Sequence, residues 1–313
     1  MPQRCLVTGG AGFIGSHIAA ALRARGDRVR IADNFSTGYR HNLDANPGAE
    51  LLEGDLADEA FARQAVEGMD LVFHQAAIPS VPRSVADPIA SNRANIDGTV
   101  NVLVAARDAG VRRVIYAGSS SAYGDTPTLP KHEDMTASPR SPYALQKLVG
   151  EQYCRLFTDL YGLETVTIRY FNVFGPRQDP TSAYSGVISQ FARALIEGRP
   201  PTIYGDGRQT RDFTYIDNVV DGVLRAGDAR GASGEVVNVA TGGRISLLEL
   251  LETMKAMTGA KVDPVFAEAR PGDVRDSQAD ISKAERLLGY TPAVSFEDGV
   301  ARTVEWYRAV PVR

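Results

Sequence analysis

Cysteine is scarce: two residues in 313, Cys5 and Cys154. Cys5 falls in a strand pattern and Cys154 in a helix pattern, so a disulfide framework is excluded and a reducing compartment is expected. Apolar runs are short. None approaches the roughly 18 residues of a membrane span, and the first strand begins at Arg4 with no signal peptide before it. The expected location is cytoplasmic, without a membrane partner. An excess of either charge is also lacking. A net charge of −4 gives no electrostatic reason to expect nucleic acid or an anionic surface as partner. Internal repeats and low-complexity tails are missing as well, and no metal site is expected.

What remains is ordinary globular composition, 43% hydrophobic and 23% charged, over a length that can bury a sizeable core. Short β-rich runs alternate with helical patterns through the first 170 residues. The strands expected are Cys5–Thr8, Val29–Ala32, Glu50–Glu53, Leu71–His74, Val114–Ala117 and Thr165–Ile168. Amphipathic stretches lie between them, among them Ile14–Arg25, Ala94–Ala109 and Tyr143–Tyr161. Repeated βα units predict an α/β fold with a doubly wound parallel sheet of the Rossmann kind. The remainder has more Gly and Pro punctuation and predicts a smaller C-terminal α/β substrate domain. The division expected is 1–171 for the cofactor and 172–313 for the substrate. The two interleave, because Val236–Val239 reads as a late strand of the first sheet.

The segment Gly9-Gly10-Ala11-Gly12-Phe13-Ile14-Gly15 follows the first strand and opens the first helix. Glycines at 9, 12 and 15 permit a tight turn, close approach of a pyrophosphate, and close packing of helix on sheet. The helix N-terminus adds free N–H groups and partial positive charge. Asp33 ends the second strand 18 residues past Gly15, where a carboxylate binds an adenosine ribose diol and repels a 2′-phosphate. The cofactor expected is therefore NAD, with Phe13, Ile14 and Asn34 flanking its site. Asp55-Leu56 suits the adenine edge, with a helix N-cap the alternative for Asp55. Gln75-Ala76-Ala77 passes beside the pyrophosphate.

Tyr143 and Lys147 stand one helical turn apart, downstream of Ser119-Ser120-Ser121. A phenol works as a base near neutral pH only when its pKa of about 10 is lowered. An ammonium four residues on shares its helix face and can lower it. The serines close a hydrophobic strand and should project from the carboxyl edge of the sheet. The set suits proton removal from a sugar hydroxyl beside a hydride acceptor. The competing readings are a packed helix tyrosine and a strand-end serine capping backbone.

Taken together, Thr8–Gly15, Ser119–Gly124, Ser141–Lys147, Arg169–Gly175 and Arg211-Asp212-Phe213 resemble the extended short-chain dehydrogenase/reductase family along essentially the whole chain. Within it the chain is most similar to NAD-dependent nucleotide-sugar 4-epimerases. The resemblance implies that Tyr143 is the general base and that Lys147 lowers its pKa while bonding the nicotinamide ribose. It implies that Ser119, with Ser120 beside it, meets the sugar. Asn172 becomes a ligand of the diphosphate or sugar, Arg211 and Arg270 its phosphate-binding arginines, and Asp273 a ligand of the uridine ribose. Arg177 and Arg83 are further candidates. Dehydratases of this family place an Asp-Glu pair where this chain has Ser120 and Ser121, which cannot serve as acid and base. Ser277 takes the position where a bulky tyrosine excludes 2-acetamido sugars. The expected reaction is 4-epimerisation of UDP-glucose/UDP-galactose, and of UDP-N-acetylglucosamine/UDP-N-acetylgalactosamine. The alternatives are a UDP-glucuronate epimerase or decarboxylase, with Arg83 as the carboxylate partner, and a non-catalytic NAD-binding regulator. The resemblance also implies a homodimer through the 94–109 and 143–161 helices.

Overall fold

Seven parallel strands form the central sheet of the computed structural model, which describes residues 2–179, 186–269 and 274–310. Six come from the N-terminal half: β1 (Arg4–Thr8), β2 (Arg28–Asp33), β3 (Glu50–Glu53), β4 (Leu71–His74), β5 (Arg113–Ser119) and β6 (Glu164–Tyr170). The seventh is Glu235–Val239, paired in parallel with β6. Across the sheet the order runs from that strand through β6, β5, β4, β1 and β2 to β3. The order reverses at β1, which sits between β2 and β4, so the crevice for a ligand opens above the carboxyl ends there. Thr8 pairs with both Ala32 and His74, so β1, β2 and β4 finish nearly level, while β5 and β6 end together at Ser119 and Tyr170, three residues beyond the Tyr116 that pairs with His74.

Residues alternate between the two faces of each strand. Cys5 and Val7 pack on one face with Ile18, Leu22, Phe73 and Ile115, in a cluster that also takes in Phe191, Leu250 and Val300 from the C-terminal half. Leu6, Val72, Val114 and Tyr116 pack on the other face against Ala62, Val102 and Phe157. Each fully buried large apolar side chain stabilises by about 1.5–3 kcal/mol. The core shared by both halves is therefore large enough to hold the carboxyl edge rigid. β3, at the sheet's edge and ending in glutamates, is the most exposed of the strands.

The helix α1 (Phe13–Ala24) starts at the glycine turn, and α2 (Glu59–Val66) follows β3. The helix Pro142–Tyr161 is bounded as its sequence dictates. The Ser141 hydroxyl accepts from the Ala144 N–H, Pro142 opens the first turn, and Gly162 closes the last with φ 70°. Where apolar periodicity suggested a helix from 94, the helical run begins earlier, at Pro88 behind an Asp87 cap, and passes through a wide π turn at Arg93–Asp97. Its reason is polar and thus invisible to periodicity. In that turn the Asn95 amide donates to Gln146 Oε1 (2.8 Å) while its carbonyl accepts from the Ile78 N–H (2.7 Å), keying the loop after β4 to the helix Pro142–Tyr161. Among the described residues no helix is long and apolar enough to cross a membrane.

Candidate active site

A 740 Å³ cleft lies over the carboxyl ends of β1, β2, β4, β5 and β6. Gly9, Asp33, Gln75, Ser119 and Tyr170, each at or just past a strand end, all line it.

At its β1–β2 end the glycine turn is as tight as the spacing demands. Gly9 has φ +65°, and a Cβ on Gly15 would stand 2.2 Å from the Gly9 carbonyl oxygen. Asp33 Oδ2 accepts from the Ala11 N–H (2.9 Å) and Oδ1 from the Phe35 N–H (2.8 Å). Burial raises this carboxyl's pKa and the backbone N–H groups oppose the rise. Asp33 thus fastens the turn as well as facing the cleft. Phe13, Ile14, Asn34, Leu56, Ala76 and Ala77 line the same end. Asp55 lines it too, and it is not the helix cap. Its carboxylate accepts from Ala57 N–H, whereas Asp58 caps α2.

Behind this end lies a wired triad that motif spacing does not show. Thr99 donates its hydroxyl to the Asn95 carbonyl (2.7 Å), so toward His74 Nε2 (3.0 Å) it accepts. Nε2 then bears the proton, and Nδ1 accepts from the Thr8 hydroxyl at 2.8 Å. The Thr8 oxygen in turn accepts from the N–H groups of Gln75 and Ala76, both at 3.1 Å. Burial first, then the charge of Lys147, push the His74 pKa down to about 3, so the imidazole stays neutral and the wiring holds. β1 and β4 are thereby pinned where they meet the cleft. Gln75 Oε1 accepts from Tyr170 Oη (2.8 Å), while its buried Nε2 has no partner among the described residues. Close backbone approach at the glycines, free helix N–H groups, a carboxylate for a ribose diol and an orphaned amide donor together fit a dinucleotide.

Tyr143 and Lys147 enter from the helix Pro142–Tyr161. A Cβ on Gly150 would fall 2.2 Å from Tyr116 Oη, so only glycine lets this helix lie so close to β5. That approach brings Lys147 Nζ to 2.9 Å from the Ala117 carbonyl, and the Tyr143 N–H donates to Ser84 Oγ (3.1 Å). Burial lowers the Lys147 pKa to about 8. The phenol departs from the simple expectation. Burial raises the Tyr143 pKa, and what opposes it is a hydrogen bond with the Ser119 hydroxyl rather than the lysine. The cause is common to both groups: a dry site penalises phenolate and ammonium alike. Ser119 Oγ and Ser121 Oγ lie 2.8 Å apart and share a hydrogen bond. Ser119 also accepts from the Ser121 N–H, so its capping role and its place in the site coexist.

Toward the C-terminal half the cleft is lined by Arg83, Ser120, Asn172, Arg211 and Ser277, and Arg177 lines it as well. Asn172, in the left-handed region at φ 32°, donates its amide to the Asp212 carbonyl (3.2 Å). Arg211 bonds the carbonyls of Thr210 (2.8 Å) and Arg275 (3.0 Å). Arg177 stands apart from Arg211. Its guanidinium meets His17 on α1, at the cofactor end. Arg270 and Asp273 lie outside the described residues. A second cavity of 200 Å³ adjoins through Asn172, Gln178 and Arg211, and is walled by Phe174, Tyr204 and Phe213 with Gln209 beside them. Sequence reasoning missed Tyr204, Gln209, Tyr39, Gln178 and the buried Lys131, which lines the main cleft. None stands at a motif spacing, so the only signal is their proximity in the fold.

Known proteins share this fold and family. Residues 5–240 match the model of the NAD dependent epimerase/dehydratase family. A UDP-glucose 4-epimerase of Mycolicibacterium smegmatis is 41% identical over 98% of this chain and 99% of its own. Among solved structures, the UDP-glucose 4-epimerase of Thermotoga maritima with UDP-glucose superposes with a TM-score of 0.94 at 37% identity, covering 98% of this chain and 99% of that one. The UDP-N-acetylglucosamine 4-epimerase of Methanobrevibacter ruminantium, in complex with UDP-N-acetylmuramic acid, also gives 0.94, at 38% identity and the same coverages. The chain belongs to the NAD dependent epimerase/dehydratase family.

Proposed function

We propose that this enzyme interconverts UDP-hexoses epimeric at carbon 4, acting on UDP-glucose/UDP-galactose and on UDP-N-acetylglucosamine/UDP-N-acetylgalactosamine. One observation carries the reading. Tyr143, Ser119 and Lys147 converge where the dinucleotide end of the cleft meets the end lined by Asn172 and Arg211, and Ser120-Ser121 supply no second acid–base pair. Tyr143 removes the proton of the sugar 4-hydroxyl and later returns it. Ser119 orients that hydroxyl and, through its bond to Tyr143, favours the phenolate. Lys147, anchored on Ala117, holds positive charge beneath the site. Bound NAD supplies the hydride acceptor and donor, with a cationic ring that further favours phenolate. Arg211 holds the diphosphate while the pyranose turns over to present its other face, and the aromatic second cavity receives the uracil.

Residues 1–171 with the strand Glu235–Val239 act as the cofactor half, and the rest of 172–313 as the sugar-nucleotide half. Two copies associate through the helices 94–109 and Pro142–Tyr161. Leu156, 48% exposed, and Leu160, 68% exposed, on the second of these support that pairing. A UDP-uronate is the second reading, favoured by Arg83 on the wall of the same cleft.

Purified protein incubated with each UDP-sugar should form the C4 epimer, followed by NMR. Absence of epimer with UDP-glucose, UDP-N-acetylglucosamine and UDP-glucuronate overturns the proposal. The place of Ser277 on the cleft wall supports a further expectation. In Ser277→Tyr the phenol fills the space of an acetamido group, and a steric clash is a strong discriminator. The ratio of UDP-N-acetylglucosamine to UDP-glucose turnover should fall by about a hundredfold. An unchanged ratio would remove Ser277 from substrate selection.

A further inference from the structure

We infer that the segment Pro176–Asp179 is a latch across the dinucleotide cleft, and that Tyr39, His17, Arg177 and Asp179 set the rate at which bound NAD leaves. The inference rests on the NAD-binding reading of the cleft. The segment belongs to the C-terminal half by sequence, yet the Pro176 carbonyl, the Arg177 guanidinium and the Asp179 carboxylate are tied to the cofactor half.

Two of the ties come from α1, directly behind the glycine turn. Arg177 Nη2 lies 2.7 Å from His17 Nδ1, and a guanidinium has no acceptor, so Nδ1 carries no proton. His17 Nε2 therefore bears it and donates to the Pro176 carbonyl at 2.9 Å. Burial, then the charge of Arg177, push the His17 pKa down to about 4, so this tautomer persists at neutral pH. Arg177 itself is held at φ 67°. A bulky side chain stays in that left-handed region only where its surroundings fix it, and the two bonds to His17 do so.

The third tie comes from the other wall. Tyr39, in the segment after β2 on the adenosine side, donates its hydroxyl to Asp179 Oδ2 at 2.5 Å across 140 residues of chain. A hydrogen bond to a carboxylate is about twice as strong as a neutral one. From the substrate side, Tyr307 Oη donates to the Gln178 carbonyl and completes the anchorage. Tyr39, Arg177, Gln178 and Asp179 line the cleft together with Gly12 and Asp33. A dinucleotide lying from the glycine turn to Asp33 runs beneath this segment, and its exit requires these bonds to open. The chemistry gives retention a purpose. The proposed cycle returns its hydride to the substrate, so NAD has no need to leave between turnovers.

The test is release of NAD from the intact holoprotein, measured by exchange of bound NAD for an excess of fluorescent etheno-NAD. Tyr39→Phe keeps the ring of a half-exposed residue and removes one hydroxyl, so it tests the bond without threatening the fold. It should speed release roughly tenfold, as should Asp179→Ala, and the double variant should be no faster than the faster single one. His17→Ala should speed release independently, multiplying with Tyr39→Phe. Release at the wild-type rate in Tyr39→Phe and His17→Ala overturns the latch. So does full multiplicativity of Tyr39→Phe with Asp179→Ala, because the effect would not then lie in their contact. A wild-type protein that takes up no NAD would instead overturn the cofactor reading beneath it.

Discussion

Replacing Tyr143 with phenylalanine should lower kcat by about 10²–10⁴-fold, the range general-base removal costs. The substitution is a clean probe because the side chain's hydroxyl is all that changes. The backbone of residue 143 remains bonded to Ser84 Oγ, and Gln146, one turn along, remains bonded by Ser91 and Asn95 at 2.8 Å each. The ring therefore stays in place without an oxygen to take the proton. KM should change much less than kcat, because the lost interaction is made mainly in the transition state. Steady-state kinetics on UDP-glucose checks this, and a kcat within tenfold of wild type would remove Tyr143 as the base.

The largest stability effect is expected at Arg169. It grips Glu151 through two bonds, Nε to Oε2 at 2.9 Å and Nη2 to Oε1 at 2.6 Å, with both side chains nearly sealed from solvent at 4% and 5% exposure. Its guanidinium also covers the Tyr123 ring at 4.5 Å, and Tyr123 Oη donates to Asn238 (2.7 Å) on the seventh strand. Arg169→Met strands a buried carboxylate and should cost about 3–5 kcal/mol in urea unfolding. Adding Glu151→Leu removes the stranded charge, so the double variant should recover most of that loss. A single-variant loss below about 1 kcal/mol would show that the pair contributes little. Glu151 stands one turn beyond Lys147, so the pair also fixes the helix that carries both reacting side chains.

How far the chain could be read varies with the range of the interactions involved. Strand and helix positions were legible because alternation and helical spacing are local: β3 and β4 fall where the sequence put them, and the other expected strands lengthen by one to three residues. The early start at Pro88 and the π turn were not legible, because Asn95 is fixed by Gln146 and Ile78 rather than by apolar neighbours. The glycine turn was legible from three residues, since sterics there are confined to one turn. Of the arginines singled out in advance, Arg211 and Arg177 look alike in sequence. One lies at the end shared with the second cavity and the other against His17.

The sequence by itself determined the doubly wound α/β pattern, the glycine turn with Asp33 beyond it, and the Tyr143–Lys147 spacing on one helix face. Each follows from geometry within a few residues of chain. The tertiary structure alone decided the charge balance and the closures. It sets the rise of the Tyr143 pKa and its relief by Ser119, the neutral tautomers of His74 and His17, and the Tyr39–Asp179 bond. Burial and partnership are properties of the folded neighbourhood, and residues tens to more than a hundred positions apart share that neighbourhood only once the chain has packed.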